Sequence, residues 1–227
     1  MLNLKNIRNT FRELGRLNGF LYLIARALNR CDRRCNLYKY YLVAQPVTNT
    51  ARLSGQRGKS VIVRRVERGD PALQQMDRPV STLEQRFAQG SVCLGAFKDT
   101  ELVGHMWLHF SAYLEDEVRC CFQPEPANNA AWDFDIFIAP KHRLGYTFSR
   151  LWDEADALLR ARGVRWSMSR ISAFNPASLA SHSRMGVQPA GSVIYVVVFR
   201  YQVMVATVRP YFHFAHSCPT VIVRAPA

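Results

Sequence analysis

Acidic residues are scarce in this chain. Only 17 Asp and Glu stand against 30 Lys and Arg, for a formal net charge of +13. The deficit is uneven: residues 1–59 hold 12 basic and 2 acidic side chains, a balance of 12 − 2 = +10. Long apolar runs are missing too. The best, Gly19 to Ala25, is interrupted by Arg26 and falls far short of the ~20 residues that a bilayer requires, which argues against a transmembrane span. No convincing small-residue cleavage site follows Phe20–Ile24, so a secretory leader is not expected and a cytoplasmic location is. Six cysteines are present, but the Cys31/Cys35 spacing matches no common zinc knuckle and no paired Cys/His cluster follows. Adjacent Cys120 and Cys121 would point to opposite faces of a strand. These spacings argue for free, mostly buried thiols, with neither a disulfide framework nor a metal site. No base-reading motif accompanies the basic residues, so a nucleic-acid partner is not expected either.

What is present suits one substantial core: 227 residues, 48% of them hydrophobic. Leu4, Ile7, Phe11, Leu14, Leu17, Leu21, Ile24 and Leu28 recur along one helical face, with Lys5, Arg8, Arg12 and Arg16 elsewhere. This basic amphipathic helix, weakened by Gly15 and Gly19, reads in two ways. It packs on its own domain or on a second copy, or it lies on anionic lipid as a peripheral membrane contact through residues 1–30. Leu37 to Val47 either forms a strand or continues this unit, and polar Thr48 to Lys59 reads as a linker. The expected organisation is an N-terminal extension and linker over 1–59, a main domain over 60–209 and a tail over 210–227.

Within the main domain, Val61 to Val66 predicts a first strand. Ser81-Thr-Leu-Glu84 is a capping box opening a helix to about Gln89-Gly90. Strands are expected at Val92–Phe97 and Leu102–Phe110, joined as a hairpin, at Leu114–Phe122, and after Gly186 at Val193–Phe199 and Gln202–Val208. Gln123 to Ala130 reads as a loop.

The most informative stretch runs from Trp132 to Val187. Trp132 to Ala139 alternates acidic with bulky apolar residues before Pro140, as a two-faced strand does. A basic turn, Lys141-His-Arg-Leu-Gly145, leads into helical spacing at Phe148, Leu151, Trp152, Ala155, Leu158 and Leu159, which Gly163 stops. Val164 to Ile171 is a second strand, and Asn175 and Ser178 open a short helix ending near Met185-Gly186-Val187. A strand that feeds a basic turn and a helix N-terminus offers backbone N–H groups and the positive helix end to an anion.

The order Ile138-Ala-Pro-Lys-His-Arg143, long helix, strand, Asn175, Met185-Gly186-Val187 resembles the GNAT acyltransferase superfamily over about residues 60–205. That resemblance implies an α/β (α+β) fold with a mixed, mostly antiparallel central sheet flanked by helices, here with a basic N-terminal helical extension. It also implies acetyl-CoA, or another acyl-CoA, as co-substrate and an amine as acceptor. The turn His142, Arg143, Leu144, Gly145, Tyr146, Thr147 and Phe148 would take the diphosphate. Backbone groups of Phe137 and Ile138 would meet the pantetheine and carbonyl, and Asn175 and Ser178 would flank the thioester. Tyr146 and Phe148 replace the small residues that the family usually places in that turn, where close backbone approach favours them. By position, Asp135 or Asp133 would act as general base, the two sharing one face of the strand, and His182 would stand where many members carry a tyrosine acid.

Each assignment has a structural counterpart. The aspartates suit a solvated strand face, Asn175 with Pro176 suits a plain helix cap, and His182 suits a surface position. The closing segment is similar to GNAT-like proteins of bacterial exopolysaccharide or capsule loci, which points to an amino sugar, polysaccharide or lipid-linked acceptor. A donor-binding protein without turnover and a basic nucleic-acid binder are the alternatives.

Overall fold

In a computed structural model that describes residues 4–214 and 216–226, the chain builds on a nine-stranded sheet in the order β11-β10-β9-β1-β8-β7-β4-β3-β2. In chain order the elements are α1 (Leu4–Cys31), β1 (Cys35–Pro46), β2 (Ile62–Val66), α2 (Val80–Ala88), β3 (Val92–Lys98), β4 (Glu101–His109), β5 (Tyr113–Leu114) and β6 (Cys121–Glu125). They continue as β7 (Ala130–Ile138), α3 (Thr147–Ala161), β8 (Trp166–Ser172), α4 (Pro176–Arg184), β9 (Gln188–Val198), β10 (Tyr201–Ala206), β11 (Phe212–Phe214) and β12 (Thr220–Arg224). Every ladder of the large sheet is antiparallel except β7 with β8. A crossover helix, α3, joins those two, as a parallel connection requires. This is the mixed α/β architecture that the sequence implied.

Two apolar layers sandwich the sheet. On one face α3 buries Leu151, Trp152, Ala155 and Leu159 against Leu94, Met106 and Leu108. On the other, a small sheet ordered β12-β6-β5 packs with α2 over Tyr40, Leu42, Trp107, Trp132 and Tyr195. None of the described helices is long and apolar enough to cross a membrane.

The boundary expected at residue 60 does not separate two units. β1 lies inside the sheet, antiparallel to both β8 and β9, because its even-numbered residues Tyr40, Leu42 and Ala44 are apolar enough to be buried. The linker is not free either: the Arg52 N–H donates to Asp153 (2.7 Å), its guanidinium pairs with Asp156 (2.8 Å) and Arg160 reaches the Thr48 carbonyl. Nor does the tail from 210 stand apart, since β11 extends the large sheet and β12 pairs in parallel with β6. Residues 114–122 do not form one strand, because 115–120 leave the ladder between β5 and β6. Residues 123–125, expected in a loop, complete β6 instead. Finally, α2 starts at Val80 behind Pro79, without a side-chain cap. Ser81 falls inside the helix and Glu84 pairs with Arg68 (3.1 Å), so the capping box is not made.

The N-terminal helix forms as the apolar spacing indicates, broken at Gly15 by φ 75°, ψ 175°, a conformation essentially restricted to glycine. Gly19 then admits Phe11, whose Cδ1 would lie 2.7 Å from any added Cβ. All six cysteines are free. Cys35, Cys93 and Cys120 are buried, Cys121 is half-buried, and Cys31 and Cys218 are exposed.

Candidate functional site

The sheet opens between β7 and β8. Their pairing covers only Ala130–Trp132 against Trp166–Met168. Beyond it β7 stays with β4 and β8 with β1, leaving a wedge whose apex is Asp133. Two residues on, β7 bulges: its register with β4 slips between His105 and Trp107, and Asp135 takes φ 47°. A bulge re-aims side chains by inserting one residue into the alternation. Phe134 and Asp135 therefore both face the α2 side, while Asp133 faces the α3 side beside Ser167. The expected shared face of the two aspartates is not formed.

The two carboxylates live in different environments. Asp133 is 1% exposed and accepts a 2.6 Å bond from Ser167 Oγ. Burial raises its pKa to about 7, against the opposing pull of that hydroxyl. Because the folded value lies above the unfolded one, the native state holds an extra proton between about pH 4 and pH 7, so this group's contribution to stability declines as pH rises through that window. Asp133→Asn, which keeps an acceptor for Ser167, should flatten that slope and exceed the parent at pH 8 by about 2–4 kcal/mol. Urea unfolding at pH 5 and pH 8 measures both; identical slopes for parent and variant would refute a buried, proton-holding carboxyl.

Asp135 is held in the opposite state. Burial alone would raise its pKa, yet the adjoining His105 ring (3.7 Å) and Arg86 (2.6 Å) outweigh burial and keep it well below the usual carboxylate range. Arg78 also binds it, through Nε at 3.0 Å and through Nη2. A carboxylate bound by two guanidiniums is a poor proton acceptor, which argues against the base role expected of Asp135.

Those surroundings are a cleft of about 480 Å³ on the α2 side of the wedge, lined by Arg78, Arg86, Asp116, Glu117, Asp135 and Arg170 among others. Arg86 is buried and bridges Asp116 (2.6 Å) and Asp135 (2.6 Å), with Trp107 and Phe134 beside its guanidinium. Arg170 on β8 binds Glu115 (2.6 Å) and Glu117 (2.9 Å), and the Tyr40 hydroxyl donates to Glu117 (2.6 Å). Burial, with Glu115 alongside, raises the pKa of Asp116 against the pull of Arg86. Sequence reasoning missed this cluster because it placed 115–117 in a strand. The signal was there: Glu115-Asp116-Glu117 is the only run of three acids in an acid-poor chain.

At the far end of β7, a single turn of 3-10 helix over Pro140–His142 leads to α3, whose N-cap Tyr146 supplies no side-chain acceptor and whose first turn has no acid. The N–H groups of Thr147, Phe148 and Ser149 lie in that first turn, where no carbonyl one turn back can reach them. Leu144 and Tyr146 are 104% and 47% exposed, whereas Phe148 is half-buried with its ring against His182. Thr147 is buried against Gly104. Arg143 is exposed, and its Nε donates to the Ile138 carbonyl (3.1 Å). The Ala139 N–H donates to Val103 (2.9 Å). By the alternation of strand hydrogen bonding, the backbone of Ile138 faces the wedge and that of Phe137 faces β4. Of the two residues whose backbone was expected to meet the pantetheine, only Ile138 turns its backbone to the wedge. Phe137 instead lays its ring near His105 (5.4 Å).

Asn175 caps α4 by accepting from the Ser178 N–H (3.1 Å). The Ser178 carbonyl takes the Nδ1–H of His182 (2.9 Å). His182 is not a surface residue: it is 4% exposed, between Phe148 and Trp152. Burial lowers its pKa, so the ring is neutral with Nδ1 protonated, and its buried Nε2 has no partner. That nitrogen can accept a proton or hydrogen bond but has none to give, which removes the expected acid role at neutral pH.

The mixed, mostly antiparallel sheet, opened at one parallel pair and crossed by a helix behind the opening, is consistent with a GNAT-like fold. Among solved structures, the chain is similar to a functionally unknown conserved protein from Staphylococcus epidermidis, with TM-score 0.50 and 11% identity over 77% of this chain and 66% of that one. It also resembles a putative GNAT-family acetyltransferase from Novosphingobium aromaticivorans (TM-score 0.49, 14% identity, 72% of this chain, 65% of that one). A third is a tandem GNAT protein of the clavulanic acid biosynthesis pathway (0.48, 11%, 72% and 55%). At these identities the likeness is one of fold, and the chain spans about two thirds or less of each structure's length. No family model and no curated protein matches the sequence.

Proposed function

We propose that the protein is an acyl-CoA-dependent N-acyltransferase, in its simplest form an acetyltransferase, acting on an amine held in the charged cleft. The observation that carries this reading is the wedge itself, which joins an uncapped helix N-terminus on one face of the sheet to a carboxylate-rich cleft on the other. When bound, acetyl-CoA supplies an activated acyl thioester. The first turn of α3 and the Arg143 guanidinium would hold its diphosphate, and the Ile138 backbone would orient the pantetheine.

The amine arrives as an ammonium ion, for which Glu117 and Asp116 provide counter-charge, and it must lose a proton before it can attack. Asp116 is the carboxylate suited to take it, because its raised pKa brings it nearer the working pH and it lines the cleft. Asp135 positions Arg86 and Arg78 instead. Three carboxylates in the 115–117 loop, with Arg78 and Arg170 near them, suit a polar amine such as an amino sugar of a polysaccharide or lipid-linked intermediate. A donor-binding protein without turnover is the second reading, favoured by a His182 that has no proton to give.

Thermal unfolding with acetyl-CoA tests the donor site, since a ligand that binds only the native state raises its stability. At a concentration about a hundredfold above Kd the gain is about 2.7 kcal/mol, or roughly 5–10 °C for a chain of this length. Arg143→Ala should lose most of it. Absence of any shift with acetyl-CoA or longer acyl-CoAs would overturn the donor assignment, and a shift without turnover across amine acceptors would select the binding reading.

A further inference from the structure

The sheet face that α1 covers continues beyond it, bare and apolar. Opposed residues of antiparallel neighbours share a face, and the registers align Leu37, Val196, Val203 and Phe214 in one row across β1, β9, β10 and β11. α1 shields only the β1 end. There Leu37 is buried, and Asn18 bonds to the Tyr41 hydroxyl (3.0 Å) and to Lys39 (2.8 Å). Past α1, Val198, Tyr201, Val205, Phe212 and Phe214 are 39–64% exposed. The helix itself leaves Leu17 and Phe20 in solvent at 64% and 57%. Across β9, β10 and β11 the registers make this exposed apolar surface contiguous, and contiguous surface of this kind marks a contact site rather than scattered surface hydrophobics.

The charges around it point to the occupant. Arg200 lies 5.2 Å from the Tyr201 ring while donating to its hydroxyl (3.1 Å), and Arg34, itself paired with Asp32, lies 4.7 Å above the Phe199 ring. Arg8, Arg12, Arg16, Arg26 and Arg30 are exposed on α1. No acid follows Asp156 in the chain, and Glu13 and Asp32 are the only acids before Glu67, Asp32 being paired with Arg34 (2.8 Å). A second copy would set these cations against their like, with almost no carboxylate to meet them. We propose that this face docks on an anionic lipid surface, with the β9–β11 side chains and Leu17 and Phe20 entering the interfacial layer and the arginines meeting headgroup phosphates. It extends the contact expected of residues 1–30 onto the sheet and does not depend on acyl transfer.

The test is co-sedimentation of the full chain with phosphatidylcholine vesicles and with the same vesicles carrying phosphatidylglycerol, for the parent and for Phe212→Ser/Phe214→Ser. Both phenylalanines are exposed, so the variant should keep the parent's thermal unfolding midpoint. The expected result is salt-sensitive binding to the anionic vesicles alone, weakened at least a hundredfold, or about 2.7 kcal/mol, in the variant, since two buried phenylalanines are removed. Equal binding by parent and variant, or by neutral and anionic vesicles, would overturn the proposal. So would no binding, or a dimer in sedimentation velocity that the double variant dissociates, which would make the face an interface between copies.

Discussion

Arg86→Ala should destabilise the protein by about 3–5 kcal/mol, the usual cost of removing one partner from a buried ionic cluster. Its side chain is 4% exposed, and those of Asp116 and Asp135 are 17% and 10%. Truncation leaves two carboxylates in a half-closed cleft, Asp135 keeping only Arg78 and the His105 ring. It also removes the cation lying beside Trp107 and Phe134. Arg86→Lys should fall between, since a single ammonium cannot span both carboxylates as a forked guanidinium does. Acidification gives an independent readout. Asp135 has a depressed pKa in the folded protein, so its stabilisation is full above its unfolded value near 3.8 and declines progressively as pH falls from there toward the lower folded value. Urea midpoints at pH 7 and pH 3 should therefore show a smaller acid loss in the variant. A change under about 1 kcal/mol at pH 7 would mean that solvent already screens the cluster.

Asp116→Asn should lower kcat by about 10²–10⁴-fold, the range of a positioned general base. Stabilisation by acetyl-CoA should be retained, because Asp116 lies on the acceptor side of the wedge. The parent's rate should rise with pH through the Asp116 ionisation, and that limb should vanish in the variant, whereas a merely structural role would leave its shape intact. Steady-state kinetics against pH, with an amine found by acceptor screening, decides it. A variant with full kcat would return the base role to another group of the cleft.

Local chemistry explains why so much of the central stretch was legible. The position of β7, the helical spacing in α3 and the Asn175 cap are set by residues next to one another in the chain, and they formed where expected. The polar segment 48–59 misled for the opposite reason: a low apolar content describes a linker until Arg52 finds Asp156 on a helix more than a hundred residues away. Likewise the alternation of Asp133 and Asp135 promised one shared face. Only the pairing of β7 with β4 introduced the bulge that separates them.

By itself, then, the sequence determined the basic N-terminal helix and the strand-turn-helix order leading into α3, because periodicity, end signals and charge are local properties. Tertiary structure alone decided that an N-terminal strand enters the sheet between β8 and β9, that Asp133 is buried while Asp135 is clamped, that His182 faces inward as a neutral acceptor, and that Glu115–Glu117 meet Arg170 and Arg86. Each of these depends on which distant group arrives to pair, bury or desolvate a side chain. Ionisation and accessibility are set by that neighbour and not by the residue's own type.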